Sequence, residues 1–282
     1  MSAPELLASY WTICGAAEGA GARHRRRNGN RASARNGART GVDAAERRVL
    51  ASARDRRRRS LLRPAAEGAR RRDRSFSGTR LRRALRAGLI WPQSRGSQLA
   101  GLVVGAQPGE RTLDLCAAPG GKATQLQGDV VAVELHPGRA RELQENCRLL
   151  GADNVTVVNA DATELPPELT GFDRVLVDAP CSGLGVLSAR PDLRWRARPL
   201  PELQQELLRV AAERVKPGGT IVYSVCTMDP EENEAVVDAS GLQIEPLGDE
   251  WPQFRHPKRP EFVLTLPHVH GTAGFFIARL CA

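Results

Sequence analysis

Two cysteines occupy positions where a thiol could act as a nucleophile. Cys181 follows a proline in a loop with polar neighbours, and Cys226 directly follows an apolar run. A thiolate attacks electron-poor carbon readily when its surroundings lower its pKa. A redox couple is the alternative use of two thiols, although none of the six cysteines forms the C-x-x-C pair typical of such couples.

Three acids, Glu134, Asp161 and Asp178, close or follow apolar runs that predict strands. In a doubly wound α/β fold the carboxyl ends of the strands border the ligand crevice, and an acid there commonly binds ribose hydroxyls. A single acid after a strand is often only a turn or helix cap. Three after successive strands favour a nucleoside site.

A glycine-rich turn precedes these acids. Residues 111–122 read RTLDLCAAPGGK, a short apolar strand that ends in a tight turn. The glycines allow a close approach of the backbone to a ligand, and a helix start behind them presents free N–H groups. The turn matches neither the G-x-G-x-x-G pattern of dinucleotide enzymes nor a phosphate-binding P-loop. A nucleoside cofactor without a pyrophosphate, such as S-adenosylmethionine, therefore fits better than NAD.

Strands and helices alternate around these residues. The patterns predict strands at about 111–116, 129–134, 155–158, 172–178 and 220–225. They predict helices at about 98–104, 137–150 and 200–215, one after Pro230, and one of barely two turns after Lys122. Two late apolar runs, near 262–266 and 274–280, predict an antiparallel hairpin. The alternation indicates an α/β fold with a mostly parallel sheet and helices on both faces.

The positive charge of the chain is concentrated in one segment. The 282 residues carry a formal charge of +9, yet residues 21–86 hold 23 arginines against five acids, and residues 87–282 sum to −7. We therefore expect two parts, an Arg-rich N-terminal segment at 1–85 that is largely disordered, and an α/β domain at 86–282. The segment suggests either an RNA-binding arm or a solvated tail.

Composition also excludes some classes of protein. No run of 18 apolar residues is present and the first residues lack a signal-peptide pattern, so we expect a cytoplasmic protein without a membrane span. The cysteine spacing indicates neither a zinc site nor a dense disulfide framework. We expect no metal site and a monomer.

Three motifs together resemble the RNA cytosine-C5 methyltransferases of the Sun/Fmu type, in particular their bacterial ribosomal RNA branch. The similarity covers about residues 86–282. The motifs are CAAPGGK at residues 116–122, DAPCSG at 178–183, and VCT at 225–227 followed by PEEN at 230–233. Supporting stretches are DLRWR at 192–196 and GFFIA at 274–278.

The resemblance implies a Rossmann-like methyltransferase core, S-adenosyl-L-methionine as cofactor and RNA as partner. It implies that the cofactor is wrapped by the turn, whose residues are Cys116, Ala117, Ala118, Pro119, Gly120, Gly121 and Lys122. Glu134 is expected to bind the ribose, Asp161 to lie near the adenine, and Asp178 to lie near both the cofactor and the target base. Cys226 is expected to be the nucleophile and Cys181 to assist product release.

Three hypotheses about function remain at this point. The leading one is methylation of carbon 5 of a cytosine in ribosomal RNA of the small subunit. Transfer RNA is an alternative substrate, since the same core serves both. A non-catalytic RNA-binding protein with a methyltransferase-like core is the third, although a binding platform does not need the paired Cys181 and Cys226.

Overall fold

The computed structural model describes residues 83–282. The Arg-rich segment predicted at 1–85 lies outside the described residues except for 83–85, which belong to a short helical stretch at 83–86. Within the described range, no helix combines the length and the apolar character needed to cross a membrane.

Within residues 83–282, eight strands form one mixed sheet in the order β3-β2-β1-β4-β5-β8-β6, with β7 also paired to β8. The bounds are β1 Arg111–Asp114, β2 Asp129–Glu134, β3 Val155–Asn159, β4 Phe172–Asp178, β5 Val215–Val225, β6 Gln243–Glu245, β7 Val263–Thr265 and β8 Phe275–Cys281. Strands β1 to β5 run parallel to one another, whereas β8 is antiparallel to β5, β6 and β7. The predicted α/β class and C-terminal antiparallel hairpin are both confirmed.

Besides the short stretch at 83–86, six α-helices among the described residues flank the sheet or bridge its loops. They are α1 Arg95–Val104, α2 Pro137–Leu150, α3 Leu193–Arg196, α4 Pro201–Arg214, α5 Glu234–Ser240 and α6 Pro267–His270. Short 3₁₀ helices cover Ala123–Gln125, Leu184–Val186 and Pro252–Phe254. Proline at the first position starts α2 and α4, where its missing N–H costs no hydrogen bond.

The core consists of two apolar layers, one on each face of the sheet. Along β4, Val175 and Val177 contribute to the layer under α4 and α5, and Leu176 contributes to the layer under α1 and α2. All three side chains are fully buried. A strand covered on both faces reads as an apolar run, as the Val-Leu-Val at 175–177 does within the strand predicted at 172–178.

Two predicted element boundaries are wrong. The sequence Lys-Pro-Gly-Gly at 216–219 does not separate α4 from a strand at 220, because β5 already begins at Val215, which pairs with Phe172. A register shift and a φ of +72° at Gly218 absorb the intervening residues as a bulge. The helix predicted after Lys122 is only the 3₁₀ turn at 123–125, since Leu126 is already extended.

Three loops meet at Gly185 without room for a side chain. Its N–H donates to the Cys226 carbonyl at 3.0 Å, and its own carbonyl accepts from the Gly274 N–H at 2.8 Å. A Cβ at position 185 would lie 2.1 Å from the Gly274 oxygen and 2.8 Å from the Cys226 oxygen. Both neighbours are backbone atoms, so neither can rotate away.

We expect Gly185→Ala to destabilise the fold by about 1–3 kcal/mol, because overpacking against backbone forces the loops apart. Chemical denaturation of the full chain measures this difference. The matched control is Gly138→Ala in α2, where a Cβ meets nothing within 4 Å. That variant should be neutral or slightly stabilised, since alanine favours helix. Equal stability of the two variants would contradict the packing argument.

Candidate active site

The turn after β1 forms one wall of a pocket at the carboxyl end of the sheet. Gly120 has a φ of +106°, a conformation that residues with a Cβ rarely adopt. A Cβ at Gly121 would lie 2.7 Å from Gln93 Nε2 and 2.8 Å from Trp91 Nε1. The Gln93 side chain also donates a hydrogen bond to the Gly121 carbonyl. The turn is thus held by the segment that leads into α1.

Most of the cofactor-binding residues predicted from the glycine-rich motif line this pocket. It is lined by Cys116, Ala117, Ala118, Pro119, Gly121, Lys122 and Asp178 from the predicted set, together with Trp91, Pro92, Gln93, Ser97 and Asp114. Ser94 caps α1 by accepting a hydrogen bond from the Ser97 N–H at 3.1 Å, which fixes the entry of this segment.

Asp114, the last residue of β1, is an almost fully buried acid in the pocket wall. Its Oδ1 accepts a hydrogen bond from the Cys116 N–H at 3.3 Å, and its Oδ2 has no partner among the described residues. Burial, and secondarily the charge of Asp178, raises the pKa of Asp114 to about 7. A buried carboxylate oxygen without a donor is costly, so the pocket is suited to a ligand that brings a donor or a cation.

Glu134 and Asp161 lie at the ends of the next two strands but not in the pocket wall. Glu134 closes β2, is buried, and accepts a hydrogen bond from the His136 N–H at 2.9 Å. Asp161 is exposed and accepts hydrogen bonds from the N–H and the hydroxyl of Thr163, which lower its pKa. The structure therefore brings Glu134 beside the pocket, whereas Asp161 is engaged in a local turn.

Asp178 closes β4 and is held by two donors. The Lys122 ammonium lies 2.6 Å from its Oδ2, and the Ser224 hydroxyl donates to its Oδ1 at 2.8 Å. The same ammonium stands 5.2 Å above the ring of Phe275. These contacts fix the carboxylate at the mouth of the pocket.

The two cysteines singled out by their loops lie in direct contact. Their sulfurs are 3.4 Å apart, beyond the ends of β4 and β5. Hydrogen bonding from Cys181 lowers the pKa of the Cys226 thiol and raises the pKa of the Cys181 thiol. The pair is therefore asymmetric, with Cys226 favoured as the thiolate and Cys181 as the proton donor.

One buried carboxylate, Glu232, ties the loops of the two cysteines together. Its oxygens accept hydrogen bonds from the Ser182 N–H at 2.9 and 3.2 Å, the Leu200 N–H at 3.1 Å and Gln204 Nε2 at 2.9 Å. No Lys, Arg or His in the described part of the chain forms an ion pair with it. Ser182 and Thr227 add a hydroxyl contact of 2.9 Å between the same loops.

Sequence reasoning missed Asp114 and Glu232 as functional residues. Asp114 carries a similar signal to the other acids, but in the sequence it stands inside the apolar run 112–116, so the pattern alone does not mark it as the end of a strand. Glu232 had only its place in the PEEN motif, and its role depends on backbone donors far away in the sequence. Trp91 and Gln93 preceded a predicted helix and carried no distinct signal.

We expect Asp114→Asn to remove a pH dependence of stability. The folded-state pKa is about 7 and the ordinary value is 3.8, so the folded protein binds the extra proton between these values. The contribution of protonated Asp114 to the free energy of unfolding is complete below about pH 4. It is lost as pH rises towards 7, by at most about 1.4 kcal/mol per pH unit. Denaturation of both proteins from pH 5 to 8 checks this. A constant difference between them would show that Asp114 titrates normally.

The chain was compared with known proteins. Residues 102–281 match the family described as 16S rRNA methyltransferase RsmB/F. A probable ribosomal RNA small subunit methyltransferase B from Synechocystis is 40% identical over 67% of this chain and 46% of its own. A tRNA (cytosine(72)-C(5))-methyltransferase from Pyrococcus horikoshii is 34% identical over 70% and 54%. The crystal structure of NSun6 from Pyrococcus horikoshii with SFG has 33% identity and a TM-score of 0.63, covering 70% and 54%.

The matched region includes every site residue described above except those at 91–97. The chain spans about half the length of these relatives. The resemblance inferred from the three motifs is confirmed, and the chain belongs to the 16S rRNA methyltransferase RsmB/F family.

Proposed function

We propose that the protein methylates carbon 5 of a cytosine in RNA, with S-adenosyl-L-methionine as the methyl donor and residues 86–282 as the methyltransferase domain. The observation that carries the proposal is the contact between the Cys181 and Cys226 sulfurs at the edge of a glycine-walled pocket. A pair of thiols with opposite pKa shifts suits the formation and breakdown of a covalent adduct.

The pocket residues fit the cofactor. The turn lines the pocket with residues of little or no side chain, Ala117, Ala118 and Gly121, and the partnerless Oδ2 of Asp114 suits an ammonium group such as that of the methionine part. We assign the ribose hydroxyls to Glu134 and the surroundings of the adenine to Asp161. The cofactor, when bound, supplies an electrophilic methyl group. SFG, present in the Pyrococcus horikoshii NSun6 structure, is an analogue of this cofactor.

The chain's own residues then account for activation of the base. Carbon 5 of cytosine is a poor nucleophile until the Cys226 thiolate forms a bond to carbon 6, which shifts electron density towards carbon 5 and the ring nitrogen N3. A proton held between Asp178 and N3 stabilises this density. The Lys122 and Ser224 contacts keep Asp178 in place for that role.

Release of the product reverses the covalent bond. After carbon 5 has gained the methyl group, a general base removes the proton that carbon 5 still carries. The double bond between carbons 5 and 6 then re-forms, and the Cys226 sulfur leaves as thiolate. We assign the assisting role to Cys181, whose thiol lies 3.4 Å from the Cys226 sulfur and donates a hydrogen bond that stabilises this sulfur as it leaves as a thiolate. The target cytosine must be unstacked to reach both cysteines, so the substrate is single-stranded or flipped-out RNA.

Ribosomal RNA of the small subunit, the 16S molecule, is the substrate that the family description and the Synechocystis relative support. Transfer RNA is the second candidate, since the Pyrococcus horikoshii relative is named as a transfer RNA enzyme. We place the activity in the cytoplasm and expect a monomer. Labelled methyl transfer to purified 16S RNA and to transfer RNA, compared side by side, distinguishes the two substrates.

We expect Glu134→Ala to weaken cofactor binding by about 1–3 kcal/mol, the loss for a hydrogen bond to a buried charged group. Calorimetry with the cofactor in the absence of RNA measures the affinity. Glu145→Ala, an exposed acid on α2, is the matched control and should bind as the unchanged protein does. Equal affinity of all three proteins would reject the ribose assignment.

The two cysteine variants should differ. Cys226→Ala should abolish methyl transfer while cofactor binding survives, because the nucleophile is lost. Cys181→Ala should form the adduct but release it slowly, so that a denaturing gel shows a slow band that requires both RNA and cofactor. The assay is run under reducing conditions, since two sulfurs 3.4 Å apart are open to oxidation.

Two results would contradict this assignment. A trapped adduct in Cys226→Ala and none in Cys181→Ala would exchange the roles, as in DNA cytosine methyltransferases, whose nucleophile lies in a Pro-Cys motif. Full activity in both variants would show that the reaction does not proceed through a covalent cysteine adduct. Cys147→Ala, a change at a buried thiol of α2 far from both loops in sequence, is the control for general effects of cysteine removal.

A further inference from the structure

The proposed chemistry leaves one exposed aromatic residue unused. Trp195 lies in α3 with 80% of its surface exposed, more than any other large apolar side chain in the described range. Burying an indole normally contributes strongly to stability, and here that area faces solvent. We call residues 190–198 the Trp195 platform.

The platform is strongly basic. It contains Arg190, Arg194, Arg196 and Arg198 against a single acid, Asp192, for a net charge of +3. Asp192 is already paired with Arg190 at 2.9 Å and more loosely with Arg196 at 3.7 Å. The Arg194 guanidinium has no ion-pair or hydrogen-bond partner among residues 83–282, and the Arg198 guanidinium bonds only the backbone carbonyl of Ala197. The surface therefore lacks the acids needed to neutralise it and suits a polyanion.

The platform is anchored to the cysteine loops on both sides. Leu193 Cδ1 stands 2.8 Å from the place a Cβ of Gly183 would take, so α3 packs against the loop two residues past Cys181. On the other side, the Leu200 N–H donates to Glu232 at 3.1 Å. Trp195 is five residues from Leu200, so no more than about 18 Å of extended chain separates them.

An exposed aromatic ring beside arginines without an acidic partner in the described range, here Arg194 and Arg198, is a combination that binds single-stranded nucleic acid. A base stacks on the ring whatever its identity, and the arginines bind the flanking phosphates. A duplex hides its base faces and offers only its phosphates. A protein partner would need acidic side chains to pair with the arginines, and no feature of the platform favours one kind of protein surface.

We propose that the Trp195 platform binds the single-stranded RNA next to the target cytosine, with one neighbouring base stacked on Trp195 and its phosphates on Arg194 and Arg198. The inference rests on the proposed function for the identity of the nucleic acid. It adds the surface that holds the strand while the target base is turned into the pocket. The platform thereby contributes to substrate positioning without touching the reacting atoms.

The test measures binding of the full chain to a fluorescent single-stranded RNA of about 12 nucleotides with one cytosine, and to a hairpin duplex of similar composition. Trp195→Ala should raise the dissociation constant for the single strand by about 5- to 150-fold, the range for loss of one stacked base. Affinity for the duplex should change little. Trp195→Tyr should restore much of the single-strand affinity, because a phenol ring also stacks.

Matched controls separate stacking from general effects. Leu203→Ala removes another exposed apolar side chain, on α4, and Arg209→Ala removes an exposed arginine of the same helix. Neither should weaken RNA binding. Unchanged affinity in Trp195→Ala, or an equal loss for single strand and duplex, would overturn the proposal. So would self-association that Trp195→Ala abolishes while RNA affinity stays the same, since the surface would then bind a second copy.

Salt dependence distinguishes the two parts of the platform. Removal of a phosphate contact should reduce the slope of log affinity against log salt by about 0.7 for single-stranded RNA. We expect this reduction in Arg194→Ala, whereas Trp195→Ala should lower affinity at every salt concentration with the slope unchanged. A change of slope in Trp195→Ala alone would contradict the stacking assignment.

Two further measurements keep this inference separate from the proposed function. Calorimetry should show the same cofactor affinity in Trp195→Ala as in the unchanged protein, because the platform lies outside the pocket wall. In the methylation assay, Trp195→Ala should raise KM for RNA and leave kcat almost unchanged. If the unchanged protein transfers no methyl group, the proposed function fails, and the binding comparison still decides whether the platform holds RNA.

Discussion

The site depends on a buried carboxylate that forms no ion pair with any residue of the range 83–282. Glu232 is completely inaccessible, and taking a charge out of water is costly unless hydrogen bonds replace its hydration. Here three N–H donors, from Ser182, Leu200 and Gln204, provide those bonds. Because the donors come from the loop after β4 and from the start of α4, their common acceptor closes these segments onto the loop after β5. The 3.4 Å contact between the two sulfurs depends on that closure.

The order and direction of the strands already place the same loops at one edge of the sheet, independently of side-chain contacts. Strands β4 and β5 are adjacent and parallel, with Asp178 opposite Ser224 in register. Their carboxyl ends therefore lie side by side, and residues that follow them must meet. The hydroxyl of Ser224 and the ammonium of Lys122 then orient Asp178 towards the pocket. Backbone topology brings the groups together, and the buried polar contacts set their final distances.

Much of this arrangement could be predicted from sequence because it is local. Apolar runs ended by Glu134 or Asp178 mark the carboxyl ends of strands, and parallel strands bring those ends to one edge. Element boundaries at 215–219 were not predictable, since Lys-Pro-Gly-Gly is a stop signal for a helix and also tolerates a bulge in a strand. The role of Glu232 was beyond reach because it is decided by donors 28 to 50 residues away.

The position of β8 has a consequence for how the chain acquires its fold during synthesis. This strand, at 275–281, pairs with β5, β6 and β7, and Gly274 just before it bonds to Gly185 in the loop after Cys181. Contacts between residues so far apart in sequence form late and slow folding. While a ribosome is translating the chain, the nascent domain lacks β8, so one edge of β5 has no hydrogen-bonded strand beside it. The loop that carries Cys181 lacks its backbone contact with Gly274 until that residue has emerged from the exit tunnel.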